Sequence, residues 1–250
     1  MSALRALAFA LYFLILTVVM GIGAIPIRIL RKRQAALVYA KLWARLVLAG
    51  LCRICAIRID VTGRDNIPDG PCFIACQHQS YFDGFIWMNL VPDPAYIIKQ
   101  ELIRVPLVGP MLMLSGMIPV ERNAGSKALR DLMRNTQSAF DDRRQIVIFP
   151  EGTRALPGER KPLQPGIVAL AKQSPVPIVP VATDSGHCWP RTGFMKYPGT
   201  IHVRIGRPLG DSKGRAALIA AINDAWDRLS ITEDKFGSTV DNSVGGTLPD

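Results

Sequence analysis

His78 and Asp83 stand in the stretch Cys76-Gln77-His78-Gln79-Ser80-Tyr81-Phe82-Asp83-Gly84, and Phe149-Pro150-Glu151-Gly152-Thr153-Arg154 follows later in the chain. Histidine is the side chain whose ordinary pKa lies nearest neutrality, and a carboxylate bonded to one ring nitrogen fixes the tautomer and frees the other nitrogen to take a proton. The pair therefore reads as a base that activates a hydroxyl. Arg154 reads as part of a cationic pocket, because a guanidinium presents a planar fork that matches phosphate oxygens. Each half also has a plainer reading. His-x4-Asp fixes only two residues, and Ser80-Tyr81-Phe82-Asp83 fits a capping box with Ser80 as N-cap and Asp83 third in the helix. Glu151 to Arg154 fits a tight turn after a strand with a solvated ion pair, which contributes little on a surface.

Further blocks surround these two. Gly116-Met117-Ile118-Pro119-Val120-Glu121-Arg122 lies between them, Val176-Pro177-Ile178-Val179-Pro180-Val181-Ala182 follows, and Lys99-Gln100-Glu101-Leu102, Lys161-Pro162 and Gly166 fall at intermediate positions. In this order the chain, from about residue 60 to about residue 210, resembles the glycerolipid acyltransferases, the 1-acyl-glycerol-3-phosphate (lysophosphatidic acid) acyltransferases. Pro119 stands where that family more often has an aromatic residue, and Glu121 replaces an aspartate.

The resemblance implies an enzyme that moves an acyl group from acyl-CoA or acyl-carrier protein to the free sn-2 hydroxyl of 1-acyl-glycerol-3-phosphate, forming phosphatidic acid. His78 would be the base and Asp83 its orienting acid. Lys99, Arg122, Glu151, Gly152, Thr153 and Arg154 would bind the substrate, with a salt bridge to Glu121 as the plainer role for Arg122. No cofactor or metal is implied. Direct transfer in a ternary complex needs no nucleophilic Ser or Cys, and backbone N–H groups near Gly152 or in the helix after Ser80 are candidate oxyanion donors. Another lysolipid, such as lyso-ornithine lipid, is an alternative acceptor. A non-enzymatic basic membrane-binding protein is an alternative of a different class.

A net charge of +10 invites a nucleic-acid reading, but nine Lys/Arg residues and no Asp or Glu lie between Met1 and Ile59, and the remainder is nearly neutral. A basic, apolar N-terminal section favours an anionic bilayer surface over a nucleic-acid groove. Leu4 to Ile25 is almost wholly apolar and long enough to cross or deeply enter a bilayer, and Arg28, Arg31, Lys32 and Arg33 follow it. A cleaved signal peptide is the rival reading, disfavoured by the length of the apolar run. Gln34 to Ile59 continues as a helix, with Leu37, Val38, Leu42, Leu46 and Val47 at helical spacing and Lys41 and Arg45 on a polar stripe. The expectation is a membrane-associated helical pair over 1–59, held at the cytoplasmic face of the plasma (inner) membrane by the positive cluster.

Beyond Asp60 short apolar runs alternate with helical segments. Strands are predicted at 72–76, 95–98, 117–120, 145–149, 178–182 and 201–205, and helices at 84–90, 106–115, 126–142, 166–173 and 212–229. This is an α/β pattern with a mostly parallel or mixed central sheet flanked by helices, in one domain over 60–230. Residues 231–250 are rich in Gly, Ser, Asp and Asn and are expected to form a mobile tail. The five cysteines show no zinc spacing and read as free thiols in a reducing compartment. His187 and His202 show no partner pattern and read as surface or structural residues.

Overall fold

The computed structural model describes residues 2–121, 125–210 and 214–230. Arg122 and the tail at 231–250 lie outside them. The chain opens with α1 (Ser2–Gly23), a short α2 (Ile25–Leu30) with Pro26 in its first turn, and α3 (Arg33–Cys55). Hydrogen bonds from Tyr12 Oη to the Leu46 carbonyl, Trp43 Nε1 to Thr17 Oγ1 and Tyr39 Oη to the Met20 carbonyl pair successively later residues of α1 with successively earlier residues of α3. The two long helices are therefore an antiparallel hairpin. Gly50 allows the close approach, since a Cβ there would lie 2.1 Å from Tyr12 Cε1. Leu4, Leu7, Leu11, Leu14, Ile15 and Val19 on α1 are exposed, an apolar surface that a purely aqueous protein rarely presents.

Seven strands form one mixed sheet in the order β1-β7-β6-β2-β5-β3-β4, with β1 at Ile57–Thr62, β2 at Cys72–Cys76, β3 at Pro94–Lys99, β4 at Ile118–Val120, β5 at Gln145–Ile148, β6 at Ile178–Thr183 and β7 at Gly199–Ile205. All pairings are parallel except β6 with β7. Alternation along the strands divides the core. Ile74, Cys76, Val147, Val179 and Val181 face the hairpin and α4 (Asp83–Leu90), whereas Phe73, Ala75, Ile146, Ile148 and Ile178 face α6 (Gly125–Asp141), α7 (Pro165–Gln173) and α9 (Arg215–Leu229). Both faces are covered, which is why these strands read as continuous apolar runs. The remaining helices are α5 (Gly109–Leu114) and α8 (Ser185–Cys188).

Three expectations need correction. The helix expected to reach Ile59 ends at Cys55, because Ala56 adopts a left-handed conformation (φ 54°) and the alternating β-branched stretch that follows becomes β1. The sheet therefore begins before residue 60. Lys41 is not on a solvated stripe: its Nζ donates to the carbonyls of Val91 and Pro92 and ties α3 to the end of α4. The capping box is only half formed, and Phe82, not Ser80, is the N-cap. Helix α4 starts at Asp83, Ser80 Oγ accepts from the Phe82 N–H, and Asp83 reaches back to the Ser80 N–H.

Replacing Gly50 by valine is expected to push α1 off α3 and to lower stability by about 1–3 kcal/mol, the usual cost of overpacking a close contact. Thermal denaturation in detergent, read beside a Gly50→Ala variant with a smaller loss, checks this.

Candidate active site

Three adjacent parallel strands, β6, β2 and β5, end at the same edge of the sheet, and such an edge is where open α/β sheets place their sites. His78 leaves the end of β2, Phe149 to Arg154 leave β5, and Thr183 to Ser185 leave β6. Asp83 opens α4, where a carboxylate is favoured by the free N–H groups and the helix dipole.

His78 Nδ1 lies 3.0 Å from Asp83 Oδ2. The same oxygen accepts the backbone N–H groups of Gln79 and Ser80, each at 2.8 Å, and Oδ1 accepts from Ser185 Oγ at 2.7 Å. A fully buried, ionised carboxylate is acceptor-only, so the proton of this contact belongs to His78 Nδ1 and the Nε2 lone pair is left open. The imidazole stacks on Phe149, with ring centroids 4.1 Å apart and planes 20° from parallel, which fixes its second degree of freedom. One oxygen of Asp83 thus both holds the backbone before α4 and orients the histidine.

The second block packs directly against the first. Glu151 Oε1 accepts the His78 N–H at 3.0 Å, and the His78 carbonyl accepts the Ala155 N–H at 2.7 Å. Gly152 turns the chain at φ 71°, a conformation that favours glycine. Glu151 is buried, and its Oε2 has no hydrogen-bond partner among the described residues. Burial pushes its carboxyl up to about 7 from the ordinary 4.5; the His78 N–H opposes the rise and the nearby Asp83 charge adds to it. Arg154 lies with its guanidinium carbon 3.9 Å from the centre of the Tyr81 ring, and its Nη1 is buried without a partner among the described residues. A guanidinium nitrogen without a partner among the described residues, in a turn packed against the histidine's backbone, suits an anionic substrate bearing a hydroxyl.

The structure thus brings together His78, Asp83, Glu151, Gly152 and Arg154. Thr153 lies exposed in the same turn, and Lys99 ends β3 at the same edge, exposed and without an ion pair among the described residues. Arg122 falls outside the described residues. The backbone donors expected to serve an oxyanion are largely engaged. Gly152 N–H goes to the Phe149 carbonyl, and after Ser80 those of Phe82, Gly84 and Phe85 go to Ser80 Oγ and to the carbonyls of Tyr81 and Phe82. His202 is a further correction, since it has a carboxylate partner: Asp184 Oδ2 lies 2.6 Å from its Nδ1 and Asp184 Oδ1 accepts its backbone N–H at 2.7 Å. Sequence reasoning missed the roles of Gln77 and Gln79, whose side-chain carbonyls accept the N–H groups of Thr183 and Gly186, and missed Ser185. The glutamines flank His78 in the block itself; nothing in the sequence marked Ser185.

The family model described as "Acyltransferase" matches residues 58–184, which include every part of this centre except Ser185 and Gly186. The chain belongs to the acyltransferase family. A 1-acyl-sn-glycerol-3-phosphate acyltransferase of Pseudomonas aeruginosa is 31% identical over 90% of this chain and 91% of its own length. The human 1-acyl-sn-glycerol-3-phosphate acyltransferase beta is 29% identical over 70% of this chain and 66% of its length. Among solved structures, the 1-acyl-sn-glycerophosphate acyltransferase PlsC of Thermotoga maritima superposes with a TM-score of 0.74 at 21% identity, over 92% of this chain and 96% of that one, and so shares the fold. An open imidazole nitrogen held by a carboxylate has the chemistry to take a proton from a hydroxyl.

Glu151 holds its proton more tightly in the folded state than in the unfolded state. Its contribution to stability is therefore fully present below about pH 4.5 and is lost as pH rises through about 7. Glu151→Gln, which keeps the neutral form at every pH, is expected to differ little from the parent near pH 4.5. By pH 8 its Tm should exceed the parent's by several degrees, on the order of 3 kcal/mol. Parallel thermal melts across that range check the sign.

Proposed function

We propose that the chain transfers an acyl group from acyl-CoA or acyl-carrier protein to the sn-2 hydroxyl of 1-acyl-glycerol-3-phosphate and releases phosphatidic acid. The observation that carries this reading is His78, oriented by Asp83 and bonded through its backbone to Glu151 and Ala155, the residues on either side of a turn in which Arg154 keeps a buried Nη1 without a partner among the described residues. As the hydroxyl oxygen attacks the thioester carbonyl, His78 Nε2 takes its proton, and Asp83 stabilises the imidazolium that forms. When the tetrahedral intermediate collapses, the C–S bond breaks and the departing thiolate recovers the proton from His78. No acyl-enzyme is needed. Arg154 holds the acceptor phosphate, and Glu151 Oε2 is placed to receive a hydrogen bond from the glycerol part.

The same protein works at a bilayer. Two helices, Ser2–Gly23 and Arg33–Cys55, are long and apolar enough to cross a membrane. Exposed Tyr81, Leu102, Leu156, Phe194 and Tyr197 belong to loops that leave or enter the sheet at the catalytic edge, so apolar side chains also rim the site. Arg28, Arg31, Lys32 and Arg33 favour the cytoplasmic leaflet of the inner membrane under the positive-inside rule.

Full-length protein in liposomes, given labelled acyl-CoA or acyl-carrier protein and a panel of lysolipids, is expected to acylate lysophosphatidic acid above the others. His78→Ala and Asp83→Asn should each reduce turnover by at least about 100-fold with membrane association intact. Arg154→Ala should chiefly raise the acceptor KM, by about tenfold. Turnover preserved in His78→Ala overturns the assignment of the base. Preference for lyso-ornithine lipid moves the acceptor, and no transfer from any donor favours a membrane-binding protein without activity.

A further inference from the structure

Asp83 must hold one orientation for His78 to present Nε2, and a carboxylate turns about a broad, roughly two-fold torsion. Three donors pin Oδ2, but all come from the loop at 78–80 that the carboxylate itself organises. The fourth comes from elsewhere. Ser185 is wholly buried at the first position of α8, 102 residues along the chain, and its hydroxyl is the donor to Oδ1.

Ser185 is in turn held on both sides. Its N–H donates to Thr183 Oγ1 at 3.2 Å, and the Gly186 N–H donates to Gln79 Oε1 at 3.1 Å. Both oxygens of the preceding Asp184 grip His202 on β7, through the ring and the backbone. The turn from β6 into α8 is thus anchored to β7 behind it and to the glutamines around His78 in front, and it carries a single hydroxyl to the one carboxylate oxygen that the local loop leaves free. Complete burial keeps this hydroxyl out of reach of a substrate carbonyl, so its role is structural.

We propose that Ser185 is a positioning residue for the catalytic pair: its hydroxyl fixes the Asp83 carboxylate so that Oδ2 stays on His78 Nδ1 and Nε2 stays aimed at the acceptor hydroxyl. This rests on the reading of His78 as the base. The residue lies one position beyond the span matched by the family model.

The test is a double-mutant cycle in the full-length reconstituted protein, with Ser185→Ala, Asp83→Asn and the two combined. Ser185→Ala removes one oxygen and adds no volume. It is expected to lower kcat by about ten- to a hundredfold, the worth of a hydrogen bond to a charged group, with the lysophosphatidic acid KM within about twofold of the parent. On the Asp83→Asn background the same change should cost nothing further, because its effect runs through the carboxylate. A kcat within about twofold of the parent, or an equal loss on both backgrounds, overturns the proposal. NMR titration of the His78 ring gives a reading that does not need turnover: Ser185→Ala should move the curve off that of the parent, and a superimposable curve overturns the proposal whatever the rates. Inactivity of the parent protein with every lysolipid would instead count against the proposed reaction, and the NMR arm would still decide the role of Ser185.

Discussion

The buried carboxylate of Asp83 is the constraint around which this centre is built. An ionised group removed from water is stable only where donors replace its hydration, and Asp83 collects four: the His78 ring, two backbone N–H groups and the Ser185 hydroxyl. Meeting that demand determines the surroundings. The chain after β2 must curl back to offer the Gln79 and Ser80 N–H groups, α4 must begin where it does, and β6 must end beside β2. The carboxylate is therefore at once the start of a helix, the brace of a loop and the partner of a base. Bracing the start of a helix and orienting an imidazole are thus compatible demands on one side chain.

What the sequence disclosed follows from the range over which each interaction acts. His78, Asp83 and the Glu151 to Arg154 turn were legible because each block is local and its chemistry is carried by side-chain type. The buried strands were legible because both sheet faces are covered, which leaves unbroken apolar runs such as Cys72 to Cys76. The start of the sheet was not, since α3 is stopped by Ala56 without a glycine or proline to mark the break, and β1 was absorbed into the helix. Ser185 and the Asp184–His202 pair were invisible for a different reason. Their partners are brought together only by the strand order β7-β6-β2, and no spacing along the chain encodes that neighbourhood.

The hairpin and the catalytic edge are one packed unit. Phe9 of α1 meets Trp189 edge-on at 5.4 Å, Trp189 stacks with Phe85 of α4 at 6.2 Å, and it also lies 6.1 Å from Tyr81, the ring that carries Arg154. Aromatic contacts of this kind are directional as well as apolar, so they fix the angle at which the hairpin meets the domain. The exposed apolar face of α1 and the rim of the site are consequently held in one fixed relation. In the proposed reaction this relation lets an acceptor embedded in a leaflet meet His78 without leaving it.

The cradle of Arg154 has its own consequence. Its guanidinium rests on an aromatic face and forms no ion pair among the described residues, so none of their carboxylates has to be displaced when a phosphate arrives. In the proposed reaction that phosphate is a spectator: its charge and shape are the same before and after acylation. The grip is therefore equal for what enters and what leaves, and it favours occupancy without lowering the chemical barrier. Turnover at high product density is then governed by how readily the finished two-chain lipid slides away into the surrounding leaflet, and phosphatidic acid becomes a natural competitor for its own precursor's seat.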